Sequence, residues 1–284
     1  MLKLIATLLE PLRIAFLVAG DTRSFFELLY VFSLAHVNRQ KSAVRQALLC
    51  DIPGLVLTSA RGERLIVQLK CNGRLFDVLL PTTAATEFWS IRSTITEVLV
   101  NQVYRPHDGA AAEIVIDAGA NVGLATLYLS TFFPNAEFIC FEPSSETYAI
   151  LARNLEKNFL RFRAVQKALS NFDGPSRFEV GRSSMERAIF RDSDIEQAEM
   201  VACASLENEM QRLQLRKVNF LKVDVEGEEV RLLDGLAEDL MCVTEIVAEA
   251  HGPELAEEVR SRLVQAGFEV SEHRGHVRAL RPGL

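Results

Sequence analysis

Several things are scarce in this sequence, and each shortage closes off a class of protein. The five cysteines, Cys50, Cys71, Cys140, Cys203 and Cys242, are scattered and form no CxxC pair. An odd, dispersed set excludes a disulfide framework and a zinc ribbon, and reads as reduced thiols in a cytoplasmic protein. Positive charge is short as well: 31 lysines and arginines against 38 aspartates and glutamates leave a net charge of -7. A protein that tracks a nucleic-acid polymer usually carries a basic stripe, so no nucleic-acid partner is expected. Long uncharged runs are missing too. The apolar opening MLKLIATLLEPLRIAFLVAG is interrupted by Glu10, Pro11 and Arg13 and falls short of the roughly 18 residues a spanning helix needs. No transmembrane segment is expected. The opening helices are left to pack on the domain, to pair with a second copy of the chain as a homodimer, or to make a peripheral membrane contact.

What remains is globular. Of 284 residues, 49% are hydrophobic and 24% charged, enough for a sizeable core. The pattern divides the chain in three. Residues 1–53 read as helices. Residues 54–110 read as short strands with a hairpin turn at Asn72-Gly73, then helical spacing over residues 86–103, then the linker-like YRPHDGAAA. Residues 111–284 alternate strands (EIVID, EFICFE, FRAVQKA, VNFLKVD, TEIVAEA) with helices starting near Val122, Ser145, Gly227 and Pro253. Apolar strands alternating with helices imply a mostly parallel sheet covered on both faces, an α/β, Rossmann-like fold. Arg274-Gly275 lies between two strand-like runs and predicts an antiparallel C-terminal hairpin at the sheet edge.

Ligands of such sheets sit beyond the carboxyl ends of the strands, at the switch point. The first strand-to-helix junction reads IDAGANVG. Gly119 permits a sharp turn, and Gly123 a close approach of the new helix to strand or ligand. A dinucleotide fingerprint would need glycine at Asn121 and Leu124 as well, so it fails. In its place Asp117 stands at the strand tip. A carboxylate there suits a ligand that carries a cation rather than a diphosphate, such as S-adenosylmethionine. Glu142 ends the next strand, 25 positions after Asp117, close to the spacing at which an acid meets ribose hydroxyls. Ser144 and Ser145 can cap the following helix, which leaves Glu142 for a ligand. Ala168 and Leu169, after the third strand, fall where an adenine ring would lie; ordinary core accounts for them almost as well.

Together VIDAGANVG, FEPSSETYAILARNLEKN, KALSNFDG and VNFLKVDVEGEEVRLLDGL resemble the FkbM-type family of class I S-adenosylmethionine-dependent methyltransferases, over roughly residues 77–268. The most specific segment is FLKVDVEG. The resemblance implies a seven-stranded class I methyltransferase sheet and methyl transfer onto a hydroxyl of a sugar, glycan or secondary metabolite. It places Asp117, Gly119, Asn121 and Gly123 in the cofactor loop, and Glu142 with Pro143 on the ribose side. The family often has an aspartate before the cofactor domain, where this chain has PTTAATEF.

Alternation along the strand puts Lys222, Asp224 and Glu226 on one face at its carboxyl end, and Glu249 and His251 share a face at the end of TEIVAEAH. Charges at the tip of an apolar strand cost desolvation unless they serve something. Asp224, Glu226 and His251 are the catalytic candidates. His251 is the preferred base, because its unperturbed pKa lies nearest neutrality. These groups with Glu249 could also hold Mg²⁺, but nothing in the spacing compels it and no residue is assigned to a metal. The competing readings are a non-catalytic relative that binds the cofactor as sensor or scaffold and, further off, a nicotinamide oxidoreductase.

Overall fold

The computed structural model describes residues 55–61, 64–81, 93–107, 112–179, 189–190, 198–236, 240 and 242–283. The expected N-terminal helices, the stretch that follows Pro81 and Trp89 lie outside the described residues. Three strands come first: β1 (Leu55–Arg61), β2 (Arg64–Cys71) and β3 (Arg74–Pro81). They form an antiparallel sheet. The β2–β3 turn is Asn72-Gly73, with φ of 45° and 80°, the left-handed pair a tight hairpin demands. A π-helical turn, Thr96–Val100, leads towards the sheet.

The alternating part then runs β4 (Ile114–Ala118), α1 (Leu124–Leu129), β5 (Glu137–Phe141), α2 (Ser145–Lys157) and β6 (Phe162–Val165). A detour follows through β7 (Ala168–Ser170), β8 (Gly174–Glu179), β9 (Ile189–Phe190), β10 (Ala198–Ser205) and α3 (Leu206–Arg212). The chain returns with β11 (Val218–Val223), α4 (Glu229–Asp234), β12 (Val243–Glu249), α5 (Pro253–Gln265), β13 (Glu269–His273) and β14 (His276–Leu280).

Seven strands form the main sheet in the order β13-β14-β12-β11-β4-β5-β6. Those from β6 to β12 pair in parallel, while β14 runs antiparallel to both β12 and β13. This is the Rossmann-like sheet of class I methyltransferases, closed at one edge by the expected hairpin. Alternation sorts its side chains to two cores. Val115, Phe138 and Phe220 face one, with Tyr128 and Leu151; Ile116, Ile139 and Leu221 face the other, with Leu232 and Leu263. Chain order reverses at β4, which has β5 on one side and β11 on the other, so the crevice opens at the tips of β4 and β11.

The structure differs from the sequence reading at three points. FRAVQKA is not one strand: the chain turns after Val165 (Lys167 N–H donates to Val165 O, 2.9 Å), and Ala168–Ser170 joins a second sheet of order β7-β10-β8-β9. That sheet and α3 have no counterpart in the sequence reading. Helices α1 and α4 start two residues later than expected, because Asn121 and Gly123 (φ 49° and 89°) and Glu226 and Gly227 (φ 51° and 96°) hold left-handed turns before them.

The β1–β3 sheet is fastened to the main domain by asparagines of α2. Asn154 Oδ1 accepts from Leu79 N (2.8 Å), while its Nδ2 donates to Leu79 O (3.0 Å) and Val122 O (2.8 Å). One turn on, Asn158 bonds Asp77 N (3.0 Å) and Asp77 O (2.9 Å). Two side-chain amides thus stand in for a neighbouring strand along the edge of β3. Asn154 is buried, so its bonds satisfy groups that water cannot reach.

Candidate active site

The loop after β4 is shaped by its glycines. Gly119 has φ 74°, and a Cβ there would sit 1.8 Å from Asp224 O, so only glycine lets the β4 and β11 loops touch. Asp224 N–H closes the seam by donating to Ala118 O (3.1 Å). Asn121 takes a left-handed conformation and its side chain accepts from Val122 N (2.7 Å). Its own N–H donates to Glu142 Oε2 (3.0 Å), while Ser144 N–H donates to Glu142 Oε1 (2.9 Å). Both backbone donors fix the plane of the Glu142 carboxylate at the tip of β5, beside the half-buried Pro143. Ser144 is the N-cap of α2, as the sequence allowed.

Four residues expected at the cofactor are held by contacts within the protein. Asp117 is fully buried: Oδ2 accepts from Thr126 Oγ1 (2.5 Å), and Oδ1 lies 3.1 Å from Lys222 Nζ. Its carboxylate therefore supports the loop from beneath. Gly123 is turned toward α2, where a Cβ would meet Leu151 Cδ1 at 3.0 Å, so it serves helix packing. Ala168 packs with Phe178, Val201 and Cys203, and Leu169 lies in the core with Phe141 and Leu206. The ordinary-core reading accounts for both.

Lys222 binds the site together from below. Its Nζ reaches Gly119 O (2.6 Å), Asp117 Oδ1 and Asp224 Oδ2 (3.2 Å). Burial alone would push its ammonium down, but the carboxylates of Asp117 and Asp224 outweigh that and hold its pKa above the ordinary lysine value.

Above it lies an acid-rich half. Asp224, Glu226, Glu249 and His251 do gather as the alternation predicted, and Glu97, Tyr104, Glu229 and His276 join them. Tyr104 Oη donates to Asp224 Oδ2 (3.4 Å) and Glu249 Oε2 (3.3 Å). Burial and the surrounding carboxylates raise its pKa, which keeps the proton on that bridge. Burial, then Asp224 and Glu97, raise Glu249 to about 7. Burial also raises Glu226 and Glu97. His276 Nδ1 donates to Arg274 O (3.1 Å), and burial pushes its pKa down.

The geometry around His251 disfavours it as the base. Its Nε2 lies 3.1 Å from Glu226 Oε2 and its Nδ1 3.0 Å from Glu229 Oε1. Those two hydrogen bonds raise its pKa to about 11. A carboxylate on each ring nitrogen favours the doubly protonated ring, which has no lone pair for another proton. Tyr104 was hidden from the sequence reading inside what looked like a linker, and Glu97 behind a π-turn. His276 reaches the cluster because the hairpin register sets it opposite Glu249. No residue pattern signals that register in advance.

A sheet of this order, reversing between β4 and β11, is the class I methyltransferase fold. Residues 117–270, more than half of the chain, match the methyltransferase FkbM domain, and the chain belongs to this family. It is 25% identical over 226 residues to methyltransferase sdnD of Sordaria araneosa, covering 66% of this chain and 87% of that protein. It is also 25% identical over 165 residues to hexuronic acid methyltransferase AglP of Haloferax volcanii, covering 58% of this chain and 66% of that one. The crystal structure of methyltransferase FkbM from Methylobacillus flagellatus KT superposes with a TM-score of 0.43 at 11% identity, over 69% of this chain and 55% of that chain.

The protein is a methyltransferase and its cofactor is S-adenosylmethionine. The donor set fits that molecule. The loop floor offers backbone groups and one oriented carboxylate, and the buried ammonium of Lys222 is committed to Asp117, Asp224 and Gly119 O rather than presented to a phosphate. Among the described residues no helix is long and apolar enough to cross a membrane.

Proposed function

We propose that this enzyme methylates a hydroxyl of a sugar, glycan or secondary metabolite. In this reading Gly119, Asn121, Glu142 and Pro143 line the cofactor side, with Glu142 on the ribose diol. S-adenosylmethionine supplies the methyl group. Asp224, Glu226 and Glu249 form the rim on which the acceptor hydroxyl is placed, and its proton passes to that rim as the new bond forms. The β1–β3 sheet and residues 93–107 act as a cap, and the latter carry Glu97 and Tyr104 to the same rim.

The observation that carries the proposal is the seam between Gly119 and Asp224. It sets the cofactor loop directly against the acid-lined half, so a donor bound on one side would lie next to an acceptor bound on the other. Positioning of that kind can account for about 7–11 kcal/mol of a displacement barrier, and a proton acceptor adds roughly 10²–10⁴-fold. AglP, whose name gives hexuronic acid as its substrate, supports a sugar acceptor. Among the described residues Cys71, Cys140, Cys203 and Cys242 stand outside any disulfide, which supports a cytoplasmic setting.

The test is a screen with methyl-labelled cofactor against polyols, hexuronic acids and hydroxylated metabolites, followed by mass spectrometry of the product. Label on an acceptor oxygen is expected, and lost in Asp224→Asn. Label on nitrogen or carbon would sink the O-methylation reading. Tight binding of S-adenosylhomocysteine with no transfer to any acceptor would favour a sensor or scaffold.

A further inference from the structure

The acid-rich half holds more negative charge than the protein neutralises. Asp224, Glu226, Glu229 and Glu249 converge there. Against them stand His251 and a lysine already shared with Asp117. Ligand atoms of Asp224, Glu249 and His251 all lie within 4.8 Å of one another. An ion with bonds of about 2.1 Å holds its ligands roughly 3–4.2 Å apart, so modest rotamer shifts would close the set.

Two features turn this from an acidic patch into a built site. Glu229 is fully buried, and its Oε1 faces His251 Nδ1 at 3.0 Å, while Gly227 N–H donates to the same oxygen (3.1 Å). A buried carboxylate on the far nitrogen of an imidazole fixes its tautomer and aims Nε2 outward, as metal-binding histidines require. The second feature is independent of the first. His276 is only 4% exposed, and its Nε2 has no hydrogen-bond partner. Because Nδ1 donates to Arg274 O, the neutral ring points its Nε2 lone pair at Glu249 Oε2, 3.7 Å away. A buried, unpartnered ring nitrogen aimed at the carboxylate cluster is a polar group with no partner inside the protein, as expected where a ligand completes the site.

We propose that Asp224, Glu249 and His251 hold a divalent cation of the Mg²⁺/Mn²⁺ class, with Glu229 orienting His251 and His276 facing the ion's carboxylate from the hairpin. The donor set is mostly carboxylate oxygen with one imidazole, which suits Mn²⁺ or Mg²⁺ better than a thiophilic metal. The ion replaces the proton that His251 Nε2 otherwise shares with Glu226, and so frees the Glu226 carboxylate. Resting on the O-methylation reading, the consequence is a division of labour. The cation binds the acceptor hydroxyl and Glu226 takes its proton.

The test is a titration of the full-length chain with Mn²⁺, read by electron paramagnetic resonance of free ion, with and without S-adenosylhomocysteine and with Mg²⁺ as competitor. It needs no acceptor, so its outcome is separate from that of the methyl-transfer screen. Saturable binding of one equivalent, displaced by Mg²⁺, is expected. Asp224→Asn and His251→Gln should weaken it at least about tenfold, and Glu229→Gln by about 10–100-fold, with circular dichroism confirming that each variant is folded. No saturable binding to wild type, or equal binding in all three folded variants, overturns the proposal.

Discussion

The two halves of the site are built on opposite principles. On the cofactor side every charged group is matched: Asp117 by Lys222 and Thr126, Glu142 by the backbone of Asn121 and Ser144. On the acceptor side Asp224, Glu226 and Glu249 crowd together with Glu97, and burial raises the pKa of Glu97, Glu226 and Glu249. The first half is stable before its ligand arrives. The second carries an electrostatic cost that grows as its carboxylates ionise and that a bound cation would relieve. Stability and function therefore pull together in one half and apart in the other.

Lys222 is the one side chain both halves share, so its loss should produce the largest effect. Lys222→Met strands the buried Asp117 carboxylate and should cost about 3–5 kcal/mol, seen as an early midpoint in chemical denaturation. Behind the cofactor loop, Asn154→Ala leaves Leu79 N–H, Leu79 O and Val122 O without partners. A loss of about 3 kcal/mol is expected, and a thermal melt unchanged by the substitution would contradict it. Glu142→Ala should weaken S-adenosylhomocysteine by about ten- to a hundredfold in calorimetric titration while the melting temperature moves little.

Glu249→Gln should act in the other direction. A folded pKa near 7, above the ordinary 4.5, means that folding disfavours the ionised group. Its penalty appears as pH rises through that interval, so the amide should stabilise the protein above pH 7, by on the order of 1 kcal/mol. The gain should be visible in chelator and shrink on adding divalent ion; a destabilised variant would break the contrast. The smallest effect is a control outside both halves. Glu209 is buried and, although burial opposes it, hydrogen bonds from Arg212 and Lys167 lower its pKa below 4.5. The stability it contributes is present above its unfolded pKa and fades as pH falls through the lower folded value. Glu209→Gln should therefore flatten the melting profile only on the acid side.

Legibility in the sequence followed the range of the interaction. The strands IVIDA, EFICF and VNFLKV, the hairpin turns Asn72-Gly73 and Arg274-Gly275, and the grouping of Asp224 with Glu226 and His251 rest on local periodicity, and they could be read. The burial of Asp117 could not, because it depends on Lys222 arriving from a strand 105 positions on. The state of His251 depends on Glu229, which α4 turns inward behind it. Tyr104 gives no periodic signal at all; its place follows from Arg278, which holds Val103 O (3.2 Å) from across the sheet.

The asparagine pair on α2 bears on how such a protein could be rebuilt. A joint made by amides against a strand edge has direction and register, unlike a greasy contact that tolerates sliding. A foreign cap grafted in place of residues 54–81 would seat only if its last strand offered a donor and an acceptor at the positions of Asp77 and Leu79. Since the Asn154 amide also grips Val122 beside the glycine turn, an ill-fitting graft would announce itself as weakened cofactor affinity before any acceptor was tried.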